Sequence, residues 1–455
     1  MNLEELIKEY KDFTPTSSKL HKQAMTVLPG GVSANIKYFA PYPIFMKSAK
    51  GAYLTDVDDN DYIDYLGSYG PLILGHCNPI IEETMKEQFE KGILYGTPSE
   101  VEYEFAKKIQ QFYPSIEMLR YTNSGTEATL LSLRLAYAFT NKFKIGKFEG
   151  HYHGGYNQVL ISVNPPVSEA GDIKSPKAIP ETKGLEPYQT ENTIVLPFND
   201  LQACTKILEE HQDEMAAVIM EPILGGYVVA THEFMTGLRE VTKRLGILLI
   251  FDEVKTGFRS ALGGAQELYN IKPDITALGK VIGAGMPMGI VGGRKDIIMT
   301  TSPAVGSDIF DSSTSKRSAA KDVLFHSGTY NGHPLILKAG IATINILEKE
   351  FENIVKNTNS LRKQLVDLFK SYGINILTVG EGAMFNYCIT ELEAITCYRD
   401  VQQSNFDLRK RLDFALFKEG IYNKPLNRFN LSLYHDKEII DKTLQAFDNA
   451  FKKVL

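Results

Sequence analysis

The chain has no apolar run approaching the ~18 residues that would span a bilayer, so no segment reads as transmembrane. It has no surplus of positive charge either. With 49 Lys and Arg against 55 Asp and Glu the net charge is −6, which gives no support to a nucleic-acid surface. The cysteines, Cys77, Cys204, Cys388 and Cys397, show neither CxxC spacing nor the density of a disulfide framework. The first residues, MNLEELIKEYKDF, form a charged helical start without the apolar centre of an export signal. A reducing, cytoplasmic setting with neither membrane nor nucleic-acid partners is the expectation. There is no internal repeat and no biased tract, and 43% hydrophobic with 23% charged residues is ordinary for a globular protein. A length of 455 residues leaves room for two or three domains.

What is present has a readable order. Residues 2–28 are polar-amphipathic and end in the turn Leu28-Pro29-Gly30-Gly31. Short alternating runs continue to Gly70. Among them, DVDDND at 56–61 lacks the sixth-place glycine and twelfth-place glutamate of a calcium loop, so a solvated hairpin turn is expected. From about Pro71 helix and strand patterns alternate. Helices are expected at 80–91 and 100–112, and strands at 118–121, 145–148, 159–163, 216–220 and 247–251. This alternation argues for a mostly parallel sheet with helices on both faces. The polar stretch 171–192, with its three prolines, reads as a lid-type loop, and 302–321 as a second irregular stretch. Helical periodicity returns at 335–348 and 351–371, and a last helix is expected at 436–454. The expected division is an N-terminal segment (1–70) packing with a C-terminal small domain (326–455), beside a large domain (71–325).

The chemistry gathers around residues 248–293. The apolar run Ile247 to Phe251 ends at Asp252 and Glu253, as a buried strand of a parallel sheet would. Ligands in such sheets bind beyond the carboxyl ends of the strands, which would aim Asp252 into the crevice. Further on, Lys280 follows Ala277-Leu278-Gly279 and precedes Gly283 and Gly285. A lysine among small apolar residues is poorly solvated, which favours the neutral amine that a Schiff base needs. A carboxylate for a pyridinium nitrogen and a lysine for an aldehyde together fit pyridoxal phosphate (PLP). A turn aspartate and an ordinary surface lysine would look the same locally. Asn123-Ser124-Gly125-Thr126-Glu127-Ala128 opens an amphipathic helix, with Ser124 and Glu127 placed for a capping box. A helix start of this kind can seat a phosphate, or be a cap and nothing more. Glu221-Pro222 closes the strand AAVIM as Asp252 closes the next. His151 and His153 flank Tyr152, but no third ligand is spaced for a tetrahedral metal, and no metal is expected.

DEVKTGFR followed by PDITALGKVIGAGMPMG closely resembles the signature of the class III (subgroup II, fold type I) aminotransferases. The likeness runs from about Pro29 to the last helix and is strongest to the glutamate-1-semialdehyde 2,1-aminomutase branch. It implies an α/β fold type I architecture: a mostly parallel, seven-stranded sheet with helices on both faces, plus a smaller α+β domain from the two termini. It implies PLP held as an aldimine on Lys280, with Asp252 at the ring nitrogen and Ser124, Gly125 and Thr126 on the phosphate. Tyr152 would stack on the ring, supported by His153, with Val254 on the opposite face and Glu221 beside the ring hydroxyl. In Ser327-Gly328-Thr329-Tyr330-Asn331 the resemblance assigns Thr329 to the phosphate of a partner subunit, hence a homodimer with shared sites.

Near the expected substrate the wording departs from that branch. Its GGVNSPVR-like word is here Gly30-Gly31-Val32-Ser33-Ala34-Asn35-Ile36-Lys37, with lysine where a carboxylate-binding arginine would stand. Lysine offers a point charge and not a bidentate fork. GSWGP becomes Gly67-Ser68-Tyr69-Gly70-Pro71, EPVAGN becomes Glu221-Pro222-Ile223-Leu224-Gly225-Gly226, and the acidic FEAGF-like word gives way to Asn427-Arg428-Phe429-Asn430-Leu431-Ser432. Lys37, Tyr69 and Arg428 are the candidate substrate contacts. These changes favour an aminotransferase moving an amino group between an amino acid or amine, β-amino acids included, and a keto or aldehyde acceptor. The alternative is the aminomutase itself, which forms 5-aminolevulinate from one retained substrate.

Overall fold

The computed structural model describes residues 1–304 and 323–455. The chain forms two compact units, one of residues 83–348 with 396–402, the other of 1–82, 349–395 and 403–455. The boundaries expected at 71 and 326 thus compare with observed ones at 83 and 349.

The first unit is built on a seven-stranded sheet. Its strands are β1 (Met118–Thr122), β2 (Lys144–Phe148), β3 (Thr193–Leu196), β4 (Met215–Met220), β5 (Leu248–Asp252), β6 (Ile275–Gly279) and β7 (Gly289–Gly293). Their order across the sheet is β1-β7-β6-β5-β4-β2-β3. All neighbours run parallel except β7, which is antiparallel to both β6 and β1. MAAVIM and LLIFD are buried along their whole length, which is why they read as unbroken apolar runs and not as alternating ones.

Three strands were not legible beforehand. β3 has four residues and follows a proline-rich loop, and β6 merges into the lysine motif. β7, GIVGG, is made largely of poor strand formers. Its glycines are required by space: a Cβ on Gly289 would lie 2.3 Å from the Ser124 carbonyl oxygen, and one on Gly293 2.2 Å from that of Asp274. Conversely, 159–163 is not a strand of this sheet. A short 3-10 turn, Asn157–Val159, precedes Ile161, which makes an isolated bridge to Pro180. Its residues are apolar because the loop is buried, and buried apolar loops mimic strands in composition.

The 171–192 stretch holds a small hairpin, Gly171–Asp172 with Ser175–Pro176, and a helical turn, Pro187–Glu191. Arg399 anchors its start: the guanidinium donates to both carboxylate oxygens of Glu149 at 2.9 Å and to the Gly171 carbonyl at 2.8 Å. Such a bidentate pair is geometrically demanding, and it explains why 396–402 belongs to this unit. The second irregular stretch lies outside the described residues from 305 to 321. The helix segments expected at 335–348 and 351–371 are one 38-residue helix, Pro334–Ser371, and the unit boundary falls within it.

β2 carries an unexpected group. Lys147 is fully buried, its Nζ donating to the Ile161 carbonyl at 2.5 Å. Burial pushes its pKa from 10.5 down to about 7, against the opposing pull of Glu221, Glu181 and Glu149. The unfolded chain keeps this proton to about 10.5, so between pH 7 and 10.5 the unfolded state binds more protons and stability rises with pH. In Lys147→Met that rise is expected to flatten, read as denaturation midpoints at pH 7 and pH 9. An unaltered rise would assign it to other groups.

The second unit joins both ends of the chain. Strands Met46–Lys50, Tyr53–Asp56 and Asp61–Asp64 pair antiparallel in sequence, and Ile421–Tyr422 adds parallel to the last. DVDDND is the hairpin turn between two of them: the Asp56 carboxylate accepts from the backbone of Asp58 and Asn60 and from the Tyr62 hydroxyl. No cluster suited to a metal occurs among the described residues. A three-stranded sheet (Ile376–Val379, Met384–Ile389, Phe429–Asn430) and helices Leu3–Phe13, Pro15–Ala24, Phe406–Lys418 and Lys437–Val454 also belong to it. No described helix is long and apolar enough to cross a membrane.

Candidate active site

Asp252 ends β5 with its neighbours β4 and β6 on either side, so its position is set by the sheet. It is 4% exposed. One carboxylate oxygen accepts the Val254 N–H at 3.1 Å, and the other faces His153 Nδ1 at 2.8 Å. An ionised carboxylate can only accept, so Nδ1 carries the proton. The remaining nitrogen, Nε2, is buried with no hydrogen-bond partner among the described residues. Its neighbour Glu253 turns the other way and is structural. Its carboxylate accepts from the Thr256 hydroxyl and from the N–H groups of Ala265 and Gln266. Burial raises its pKa, and those hydrogen bonds oppose the rise.

Glu221, just past β4, is likewise buried. It receives the Lys255 ammonium at 2.5 Å and the Tyr152 N–H at 2.9 Å. Burial alone would raise its pKa, but the charges of Lys255 and His153 prevail and hold it below the ordinary glutamate value. Lys255 was not singled out in the sequence, although DEVKTGFR displays it three places after Asp252. His151 packs beneath the same strand end: its Nδ1 accepts the Glu221 N–H at 3.0 Å. Burial, with His153, Lys147 and Lys255 nearby, lowers its pKa well below the usual histidine range. Between the two buried histidines Tyr152 is 43% exposed, with the Lys255 ammonium 5.4 Å from its ring centroid.

Ser124 caps the 16-residue helix Gly125–Thr140, its hydroxyl accepting the Glu127 N–H at 3.1 Å. The Glu127 carboxylate takes the Asn123 N–H at 2.7 Å and not that of Ser124, so the expected box closes one residue earlier. A Cβ on Gly125 would fall 2.6 Å from Val254 Cγ1, and one on Gly279 would lie 3.2 Å from the same atom. Helix start, Val254 and the residue before Lys280 therefore pack against one another. Lys280 opens a 3-10 turn with φ +51°, a left-handed conformation that costs an L-residue about 1–3 kcal/mol and concentrates at functional sites. For Gly125→Ala we expect Val254 to be displaced and PLP affinity to weaken about tenfold. Titrating apoprotein with PLP at visible wavelengths reads this, and unaltered affinity would show that Val254 yields freely.

These residues fit PLP. A buried carboxylate, a helix start with unpaired N–H groups, an open aromatic face and a lysine converge on the strand ends of one unit. Thr329 lies in an exposed turn, whose Asn331 receives the Asn123 amide at 2.9 Å. Lys37, Tyr69 and Arg428 all lie in the second unit. The Tyr69 hydroxyl donates to the Ile36 carbonyl at 2.5 Å, and the buried Arg428 donates to the Tyr69 carbonyl at 2.9 Å. Lys37 is exposed, on the 3-10 turn Asn35–Lys37.

The family model for class-III aminotransferases matches residues 37–451. A glutamate-1-semialdehyde 2,1-aminomutase of Legionella pneumophila is 40% identical over 440 residues, covering 94% of this chain and 97% of that one. Among solved structures, an omega-transaminase from Sphaerobacter thermophilus has a TM-score of 0.89 at 31% identity, over 96% of this chain and 97% of the other. A β-phenylalanine aminotransferase from Variovorax paradoxus has a TM-score of 0.85 at 29% identity, over 99% and 96%. The chain belongs to the class III aminotransferases, PLP-dependent enzymes of fold type I.

Proposed function

We propose that the protein is an amino-group-moving enzyme of the glutamate-1-semialdehyde 2,1-aminomutase type, forming 5-aminolevulinate from one retained substrate. The observation that carries this reading is the 40% identity to curated aminomutases over nearly the full length of both chains. It reverses the order in which the sequence ranked the two activities. Intermolecular transamination is the second reading, favoured by Lys37 in place of arginine and by the 0.89 TM-score to an omega-transaminase.

Both readings use the same residues. When bound, PLP supplies an electron sink for the carbon that bears the amino group. Lys280 provides the amine that would anchor it and, once displaced by substrate, would act as the base that carries a proton between the substrate carbon bearing the amino group and the cofactor carbon on the other side of that nitrogen. Asp252, oriented by His153 and the Val254 N–H, sets a fixed negative charge against the ring nitrogen. Glu221, kept ionised by Lys255, would lie beside the ring hydroxyl. Ser124, Gly125 and Thr126 receive the phosphate at the helix start. Tyr152 and Val254 would bracket the ring. Thr329 on its exposed turn serves the partner's phosphate in a homodimer, and light scattering of the holoprotein should return a dimer mass.

The deciding experiment supplies glutamate-1-semialdehyde alone to the PLP-loaded protein. Formation of 5-aminolevulinate without a keto acid supports the aminomutase. Bleaching of the visible band by an amino donor, restored only by a keto acid, supports the transaminase. Absence of both, with no visible band after PLP is added, would sink both.

A further inference from the structure

The segment Glu149-Gly150-His151-Tyr152-His153 follows β2 and is held at both ends. At one end Tyr152 and His153 are tied to Glu221 and Asp252. At the other, the carboxylate of Glu149 lies in the fork of Arg399, 250 residues further along the chain. Two glycines allow close packing along the way. Gly150 has φ +83°, and a Cβ on it would lie 2.7 Å from Tyr398 Cβ. Gly154 has φ +113°, and a Cβ on it would lie 2.9 Å from Thr126 Cγ2. The segment thus rests on the short helix Tyr398–Val401 on one side and on the helix start at Ser124 on the other.

That short helix is braced in turn. The Asp400 carboxylate accepts the N–H groups of Thr396 and Cys397 at 2.8 and 3.1 Å, and the Asn199 amide donates to the Thr396 carbonyl at 2.7 Å. The Tyr398 hydroxyl donates to the Pro165 carbonyl at 3.0 Å. The side chains of Arg399 and Glu149 are only 11% and 6% exposed. Two parallel N–H···O bonds in so dry a place fix both the position and the plane of the carboxylate, which a lysine point charge would not. Further N–H groups of the guanidinium reach the carbonyls of Ala170 and Gly171, so it is itself oriented from a second side. Neither Arg399 nor Glu149 is among the residues assigned to the cofactor, so the pair acts on it only through the segment.

We propose that Arg399 is a positioning residue of the PLP site: through Glu149 it fixes the segment that presents Tyr152 to the cofactor ring and His153 to Asp252. Tyr398-Arg399-Asp400-Val401 carries no signal of this in the sequence, because nothing local to it points 250 residues back. The inference rests on the proposed placement of Tyr152 and His153 at the cofactor. It holds equally for an aminomutase and for a transaminase.

PLP is achiral, so its visible circular dichroism when bound reports the asymmetry of what surrounds the ring. The test measures this signal together with the PLP affinity of the apoprotein and the thermal midpoint. In Arg399→Met and Arg399→Lys, PLP affinity is expected to weaken about tenfold and the dichroism per bound PLP to fall by about half or more. Lysine keeps the charge without the fork, so parent-like values in Arg399→Lys would reduce the pair to a charge contact and overturn the proposal. Arg399→Met leaves a buried carboxylate unpaired, and combining it with Glu149→Gln removes that charge too. The double variant is expected to match Arg399→Met in both PLP readouts, because the two residues act through one contact. Parent-like PLP readouts in it, with only the thermal midpoint lowered, would make the pair a purely structural one and overturn the proposal. Tyr152→Leu separates the inference from its premise. Unaltered dichroism there would sink the placement of Tyr152 and the proposal with it, whereas altered dichroism there beside parent-like Arg399 variants would sink the proposal alone.

Discussion

Lys280→Ala, purified with PLP, is expected to lose turnover by at least about a thousandfold, because on the proposed function one amine serves as both covalent anchor and proton carrier. The backbone makes this substitution a clean one. Lys280 sits at φ +51°, where alanine is strained as lysine is, so the variant changes the side chain's chemistry more than the turn. Gly125, Val254 and Gly279, which pack against one another beside the turn, are left unaltered by the substitution. Borohydride reduction followed by peptide mass mapping is the direct measurement. The parent should carry the reduced cofactor mass on the peptide containing Lys280, and the variant should carry none. Attachment instead at Lys255, whose ammonium already stands over Tyr152 and against Glu221, would move the anchor 25 residues and refute the assignment.

Asp252→Asn is expected to reduce turnover about a hundredfold or more while leaving the fold intact. The substitution keeps the shape and removes the charge proposed to oppose the ring nitrogen, a charge whose position is set before any substrate arrives. It also has a structural cost that can be separated. Both oxygens of Asp252 accept, from His153 and from the Val254 N–H. An asparagine presents one oxygen and one NH₂, so one buried donor is left facing a donor, at about 1–3 kcal/mol. In a chain of this size that shifts the melting temperature by only a few degrees. Turnover at 25 °C and the thermal midpoint therefore answer different questions. A large loss of turnover with a small thermal shift supports an electrostatic role, whereas full turnover would reduce Asp252 to an orienting group for His153.

The residues themselves show why part of this could be read in advance. Asp252 and Lys280 are marked by their own neighbourhoods, a buried strand ending in acids and a lysine among glycines. The helix start at Ser124 is a matter of side-chain reach within four residues, and it formed with one bond shifted to Asn123. The DVDDND turn is equally local. Where the reading failed, the deciding contact lay far off. Residues 159–163 have strand composition but pair outside the main sheet, and GIVGG is a strand because it pairs with β6 and β1, while the Ser124 and Asp274 carbonyls leave room only for glycine at 289 and 293.

By itself, the sequence determined the fold class, the strand-end carboxylates, the helix cap and the lysine turn, because each depends on burial pattern and hydrogen-bond reach within a few residues. Only the tertiary structure decided which groups meet. His153 finds Asp252 across 99 residues, Lys255 finds Glu221 across 34, and Lys424 finds the Ile36 carbonyl across 388. The physical reason is that donor and acceptor capacity belongs to a residue, whereas the choice of partner in a dry interior is made by whichever elements the sheets and their crossovers bring side by side.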